Sequence, residues 1–490
     1  FALSILGSVA ALVLLGGAGN RILGGDSGFC AAWLLILHPS FWYGTLTSAV
    51  RPQLALVSIA VAVACHRAWS GERRGILWSA LVLGLGAGVR PEAGPLLFPL
   101  WLVSAMRNRP KWPEFALGLT VLAASVMVWL VPTMVESGGP LEYVKFCREY
   151  LTDQASLTSA VFGAEAPRWQ TSLWWLLVWV FIGVLAWPLP LAIARPLITH
   201  DQLAFMTLWI TPALLFAALV HIADPGQALA IVVPVCLAGG RMVSEAADAL
   251  ATGSAARWQA FAFFLLPASL LVLFAGLPPT YALLAVPMVC AVGGWAATRE
   301  RLPISSIVPR AHAVVFLLSP ALLMSGFIFF TPVWYTTGPF SAIASGLAAC
   351  SLAQIRSTVA IDDANLRTMQ ALSAQRPGEA FVVWNEGATS WRKATWYAAR
   401  TPVIVLEREK LDHRSAAVAS TWYGPRLVGR TSGGIRLRAG ARVIWFVKSG
   451  SDTFSELSRR FVLQPSGPLH YTDLPAASGT AQLGPYRLEW

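Results

Sequence analysis

Five stretches of the chain hold side chains able to grip a phosphate or move a proton. Ala49-Val50-Arg51-Pro52-Gln53 opens an apolar run with a single cation. A guanidinium there can hold a lipid phosphate through its fork of N–H donors, or snorkel to the membrane interface. Arg90-Pro91-Glu92 interrupts a second apolar run, inside Gly-Leu-Gly-Ala-Gly-Val-Arg-Pro-Glu-Ala-Gly. It reads as a phosphate-binding group or as an Arg–Glu pair that satisfies a helix break. Residues 136–170 interleave Glu136, Glu142, Glu149, Asp153 and Glu165 with Lys145, Arg148, Arg168 and the aromatics Tyr143, Phe146, Tyr150 and Phe162. Lys145, Arg148 and Glu149 can share the polar face of an interfacial helix. His221-Ile222-Ala223-Asp224-Pro225-Gly226-Gln227 sets a His and an Asp on a tight turn. There Asp224 can cap a helix that begins at Pro225, which leaves His221 without a structural task. Ser390 to Tyr397 combines Arg392, Lys393 and Trp396 with Trp391 and Tyr397. That mixture suits stacking on a sugar or contact with an anionic glycan, or a helix packing Trp391 and Tyr397 on strands near Val382 and Val405.

The elements that must position these groups are read from hydropathy and charge. Of 490 residues, 56% are hydrophobic and 12% charged. A soluble protein of this length cannot hide so much apolar surface. About twelve hydrophobic segments appear, at 1–19, 29–48, 53–69, 76–106 (two short pieces), 114–135, 172–194, 203–220, 227–243, 258–276, 280–298 and 311–331. Arginines collect at every second loop: Arg21, then Arg67, Arg73 and Arg74, then Arg107 and Arg109, Arg195, Arg241, Arg257, and Arg299, Arg301 and Arg310. Lys and Arg bias the loops that stay in the cytoplasm, so these loops are placed inside. Phe1, Arg51, Arg90, His221 and the C-terminus then fall outside. The halves of 76–106 are too short to cross separately, and two short helices meeting near the outer face fit better than one span. Ionisable groups near membrane depth are costly, about 2.5–3.5 kcal/mol at a span centre, which marks Arg51 and Arg90-Glu92 for a functional hypothesis.

The excess of 36 Lys and Arg over 25 Asp and Glu follows from basic inner loops, and no motif that reads nucleic acid is present. The six cysteines are scattered, with neither a disulfide framework nor zinc spacing. There is no phosphate-binding glycine loop, no GxSxG and no HExxH. No span carries a ladder of charges, as a proton pump or voltage sensor would. The chain begins at Phe1 inside an apolar run, so at least one earlier span is expected before it.

Composition changes near Gly338, and no span follows Ser351. A helix is expected from Asp362 to Ala374, with Leu366, Met369 and Leu372 on one face. Short strands are expected at Phe381–Trp384, Pro402–Leu406 and Val443–Val447. The fold class expected is therefore an all-α polytopic membrane domain over 1–340, followed by a small α/β domain over 341–490 outside the membrane.

Three stretches resemble the GT-C membrane glycosyltransferases, the superfamily of protein O-mannosyltransferases and the lipid A aminoarabinose transferase. They are HPSFWYGTLTSAVRPQLAL, LVLGLGAGVRPEAGPLLFPLWL and VHIADPGQALAIVVPVCLAGG, with SGGPLEYVKF as a looser fourth. The resemblance implies a transferase that takes sugar from a polyprenyl-phosphate donor on the outer face. It also implies a bilayer-embedded fold and a glycan, lipid or protein acceptor. The departing phosphate needs cations, from arginine or a divalent metal ion. The acceptor hydroxyl needs a base, normally a carboxylate. Arg51, Arg90 and His221 are the candidates for donor phosphate. Glu92, Glu142, Asp153 and Asp224 are the candidate carboxylates, and Arg392, Lys393 and Trp396 the candidates for acceptor. The family's principal catalytic Asp lies in its first outer loop, so the expected base lies upstream of Phe1. Gln227 stands where relatives often have Tyr. A flippase or permease for lipid-linked saccharide and a non-catalytic envelope scaffold are the competing functions. Usage of Ala, Arg and Gly points to a bacterial inner membrane.

Overall fold

The computed structural model describes residues 2–47, 51–145, 147–148, 176, 179–180, 198–220 and 225–251. It also describes isolated positions between 311 and 329, and 349–490 apart from 386–388, 390, 399, 412–413, 425, 433 and 449. The chain divides into two units, Phe1–Thr133 with Tyr143–Ile355, and Met134–Glu142 with Arg356–Trp490.

The first unit is helical. In order it holds α1 (Ala2–Leu23), α2 (Ser27–Leu37), α3 (Pro39–Thr47), α4 (Arg51–Trp69), α5 (Arg73–Val89), α6 (Ala93–Arg107) and α7 (Trp112–Glu136). Then come α8 (His200–Leu219), a 3₁₀ turn at Pro225–Ala228, and α9 (Leu229–Ala251). Among the described residues five helices are long and apolar enough to cross a membrane, and six if α2 and α3 count as one. Of the twelve segments expected, 258–276 and 280–298, nearly all of 172–194 and much of 311–331 lie outside the described residues.

One expected span is different. Segment 29–48 does not run straight: α2 and α3 meet at a bend of 65°. The cause is local. Pro39 disfavours helical backbone at the residue before it, and His38 is extended at φ −81°, ψ 124°. The hairpin of two short helices expected at 76–106 is present as α5 and α6, about 26 Å and 22 Å long at 1.5 Å per residue.

α4 runs through the centre of the bundle, packed by α1, α5, α6 and α9. Its Ser58 hydroxyl accepts from Trp209 Nε1 of α8 at 2.8 Å. α1 and α4 run in the same direction: Gln53 Nε2 donates to the Leu3 carbonyl at 2.7 Å near their starts, while Arg21 and Arg67 line one cavity near their ends. At that same end Arg107 stands 4.2 Å over the Trp69 ring and bonds Asp201 at 2.6 Å. Asn108 donates to the Ala68 and Trp69 carbonyls, and Gln202, which closes the capping box of α8, donates to Ile22. Arg241 pairs with Glu245 beside Ser244, whose hydroxyl accepts from the Asp26 amide. Arg21, Arg67, Arg107 and Arg241 therefore share one end of the bundle, as the loop pattern requires.

The second unit is a mixed sheet with helices. The helix expected at 362–374 extends over Leu352–Gln375 (α10), with Leu366, Met369 and Leu372 buried on one face. The three strands expected are β1 (Ala380–Asn385), β2 (Pro402–Leu411) and β6 (Arg442–Val447), and they form the parallel centre. Seven more were not expected: β3 (Arg414–Tyr423), β4 (Arg426–Ser432), β5 (Gly434–Arg436), β7 (Gln464–Ser466), β8 (Leu469–Asp473), β9 (Thr480–Leu483) and β10 (Tyr486–Glu489). The larger sheet has the order β4-β3-β2-β1-β6-β8-β7, and β5, β10 and β9 form a second. α11 (Trp391–Tyr397) lies between β1 and β2, and α12 (Asp452–Arg460) follows β6. Arg442 holds Asp473 through two hydrogen bonds of 2.8 and 3.0 Å and stacks 4.3 Å over Tyr471. The Arg442 hydrogen bonds keep the Asp473 carboxyl below its ordinary range, against a smaller effect of burial.

Candidate functional site

Arg51 is the first residue of α4, and Pro52 in the first turn lacks only a donor that no helical carbonyl could use. The Arg51 side chain lies across the 3₁₀ turn. A Cβ built on Gly226 would meet Arg51 Cγ at 2.6 Å and its Cβ and Cδ at 3.0 Å. Only a glycine lets this turn approach the arginine stem so closely. Gly44 of α3 comes in from another side: its added Cβ would lie 3.2 Å from Arg51 Cβ and 3.0 Å from Leu229. The helix just before Arg51 and a turn far along the chain thus close on one arginine.

Arg90 caps α5. Its extended backbone, φ −144° and ψ 110°, ends the helix just before Pro91, and the Ala93 amide donates to the Arg90 carbonyl at 2.9 Å to close the turn. The side chain then folds back on Glu92, with Nε to Oε2 at 3.1 Å and Nη2 to Oε1 at 2.9 Å. Both groups are mostly covered, at 15% and 33% side-chain exposure. Burial pushes the Glu92 carboxyl up, but attraction and hydrogen bonding from Arg90, with a smaller pull from Arg51, outweigh it and hold the acid below its usual range. Glu92 lies in the turn between α5 and α6, outside both helices. α5 runs back along α4, with a Cβ on Gly75 meeting Ala68 and one on Gly86 meeting Val57, so the Arg90–Glu92 turn lies at the Arg51 end of α4. Two cations, one engaged carboxylate and a glycine turn gather at this end. It is the opposite end of α4 from Arg67.

The other expected residues separate into groups. His221 and Asp224 lie outside the described residues, although the turn that follows them packs on Arg51. Asp153 also lies outside them. Glu142 belongs to the second unit and is exposed. Residues 140–145 and 147–148 of the stretch where an interfacial helix is expected are helical, and Glu149 lies outside the described residues. Lys393 pairs with Asp362 of α10. The side chains of Arg392 and Trp396 are outside the described set. Trp391 packs on Trp422 of β3, with centroids 4.9 Å apart, and Tyr397 remains 49% exposed. Among the described residues no three His, Cys, Asp or Glu side chains come together as a metal site. Gly226 and Gly44 are the parts that sequence reasoning missed. Gly226 was legible only as a turn residue, and Gly44 carried no signal.

Two solved structures are similar to this chain. One is ArnT from Cupriavidus metallidurans bound to undecaprenyl phosphate, with a TM-score of 0.55, 11% identity, and 96% of this chain and 83% of that chain covered. The other is ArnT from the same organism in the apo state, with a TM-score of 0.52, 12% identity, and coverages of 97% and 83%. At this identity the likeness is one of fold, and at that level it bears out the resemblance read from the sequence. The chain has an ArnT-like, multi-pass membrane fold with a small strand-containing domain at its C-terminal end. No family model and no curated protein sequence matches it.

Proposed function

We propose that this protein is a membrane glycosyltransferase that takes its sugar from a polyprenyl-phosphate donor, with the phosphate bound at Arg51 and Arg90. The observation that carries the reading is the close approach of Gly44 and Gly226 to the Arg51 stem, with the Arg90–Glu92 pair at the same end of the bundle. The ArnT-like fold supports it, because one of the two similar structures is bound to undecaprenyl phosphate. In the reaction proposed, the bond between the sugar's anomeric carbon and the donor phosphate oxygen breaks. The phosphate keeps the electron pair, and the acceptor oxygen forms the new bond. Charge grows on the departing phosphate, and fixed guanidinium groups stabilise it without reorganisation. Glu92 serves as the counter-charge that orients Arg90. Both its oxygens are held by Arg90, so acceptor activation is left to another carboxylate. A bacterial inner membrane, with Arg51 and Arg90 facing away from the cytoplasm, completes the reading. Its warrant is the shared end of Arg21, Arg67, Arg107 and Arg241.

The test is binding of undecaprenyl phosphate to the purified full-length protein. Losing one charged hydrogen bond costs about 1.5–3 kcal/mol, so Arg51→Gln and Arg90→Gln should each weaken binding by about ten- to a hundredfold. Unchanged binding in both, with the fold intact, ends the assignment.

A further inference from the structure

A second cationic feature lies at the other end of the bundle, and the donor reading makes no use of it. A cavity of about 160 Å³ opens between the last turns of α1 and α4, lined among others by Arg21, Ile22, His66, Arg67 and Glu72. Arg51 and Arg67 stand on the same helix, about 24 Å apart by helical rise, so this cavity is separate from the site above. Its floor is apolar, with Ala18, Ile22 and Val63. Its rim is basic: Arg21 is exposed, and Arg67 approaches Glu72 only to 4.0 Å with both side chains largely in the open. The His66 ring is fixed edge-on to Phe205, with centroids 5.5 Å apart.

The two helices present their C-terminal carbonyls here, which disfavours an anion. Arg21 and Arg67 in the last turns answer that field, and one carboxylate does not cancel them. An apolar floor with a basic rim matches a phosphate group attached to an apolar body. Among the described residues, α1 also exposes Leu6, Val9 and Val13 along its length, a surface that acyl chains can cover. Basic pockets between spanning helices bind anionic headgroups in this way.

We infer that the cavity between the ends of α1 and α4 is a binding site for a phosphate group at the basic end of the bundle, gripped by Arg21 and Arg67. It holds a lipid of that leaflet, or a free phosphate, in addition to the polyprenyl donor bound at the opposite end. Glu72, 4.0 Å from Arg67, is the one carboxylate of the lining and opposes an anion there.

Native mass spectrometry of the full-length protein, titrated with phosphatidylglycerol and with phosphatidylcholine, tests this. Wild type should retain phosphatidylglycerol preferentially. The double variant Arg21→Ala/Arg67→Ala should lose that preference by about thirtyfold, two arginine contacts' worth. Arg73→Ala/Arg74→Ala removes the same charge from the same end outside the cavity, and should stay within about twofold of wild type. Glu72→Gln removes the one negative charge of the lining and should tighten binding by about threefold, a gain that misfolding cannot imitate. Competition by millimolar inorganic phosphate would identify the free ion as an occupant, and failure to compete would identify the lipid diester; either result leaves the cavity as the site. Equal retention of the two lipids by wild type, equal losses in the two double variants, or no gain in Glu72→Gln overturns the proposal.

Discussion

Arg51 was legible as a chemical candidate because it is a lone cation at the mouth of an apolar run. What surrounds it was not, since Gly44 and Gly226 are remote from each other in sequence and carry no side chain to announce themselves. Their role gives a sharp expectation. Gly226→Ala should displace the Arg51 stem, with which its new methyl would collide at 2.6 Å. Undecaprenyl phosphate affinity should then fall nearly as far as in Arg51→Gln. Gly17→Ala is the control, because a Cβ there meets nothing within 4 Å. It should leave binding untouched and raise helix stability by about 0.5–1 kcal/mol. The comparison needs only a binding isotherm and a melting curve for each. Glu92 yields a pH expectation. Its folded pKa is depressed below the ordinary carboxylate range, so the pair's contribution is present at higher pH and is lost only as pH falls through the depressed value. Binding that depends on the Arg90 geometry should therefore be flat in its Glu92 component from about pH 8 to pH 5. A titration step in that range that disappears in Glu92→Gln would show the acid to be free rather than paired.

The hairpin of α5 and α6 was legible from Arg90-Pro91-Glu92 because a proline and two charges cannot continue an apolar helix. The glycine-rich approach to it was legible for the same kind of reason. A Cβ on Gly84 would stand 2.5 Å from Ser125 Cβ of α7, and Trp129 of α7 donates to the Gly84 carbonyl at 2.9 Å. Gly84→Leu should separate α5 from α7 and destabilise the bundle by about 1–3 kcal/mol, read as a lower melting temperature in detergent. A variant that melts like wild type would show that the contact is loose. The bend between α2 and α3 is not legible in hydropathy because 29–48 is apolar on average, and an average does not register His38-Pro39. The outer strands of the second unit escaped for a different reason. β4 reads Arg-Leu-Val-Gly-Arg-Thr-Ser, an exposed edge whose polar face leaves little apolar alternation. β1, β2 and β6 are parallel and buried, and their continuous apolar runs made them visible. Across β6 and β8, Arg442 keeps Asp473 ionised. Because that carboxyl's pKa is lowered on folding, its contribution is complete above the ordinary carboxylate range and is lost as pH falls through the lowered value. Asp473→Asn should remove most of this acid dependence and cost about 1–3 kcal/mol at neutral pH. Hydrogen exchange of amides in 442–447 and 469–473 is the readout, and exchange equal to wild type would contradict it.

For the molecule as a whole, the alternation of basic loops made the two ends of the bundle distinguishable before any coordinates. Arg21, Arg67 and Arg107 meet at one end because each stands in the last turn of its helix, and Arg241 reaches the same end from within α9, beside Gly25. Cysteine labelling should find Ser70→Cys and Ser478→Cys on opposite sides of the membrane, with the first cytoplasmic. Labelling of both from one side would undo the orientation. The expected base for the acceptor, by contrast, came only from the resemblance, and no pattern within these residues could supply it. The account therefore stands on donor recognition. Its most direct measurement is equilibrium binding of undecaprenyl phosphate to the full-length wild-type protein and to Arg51→Gln/Arg90→Gln, each in the same nanodiscs. The expected result is saturable binding by wild type and a loss of at least about a hundredfold in the double variant, with the fold retained. Equal affinity in the two proteins, or no saturable binding by wild type, would contradict the central claim.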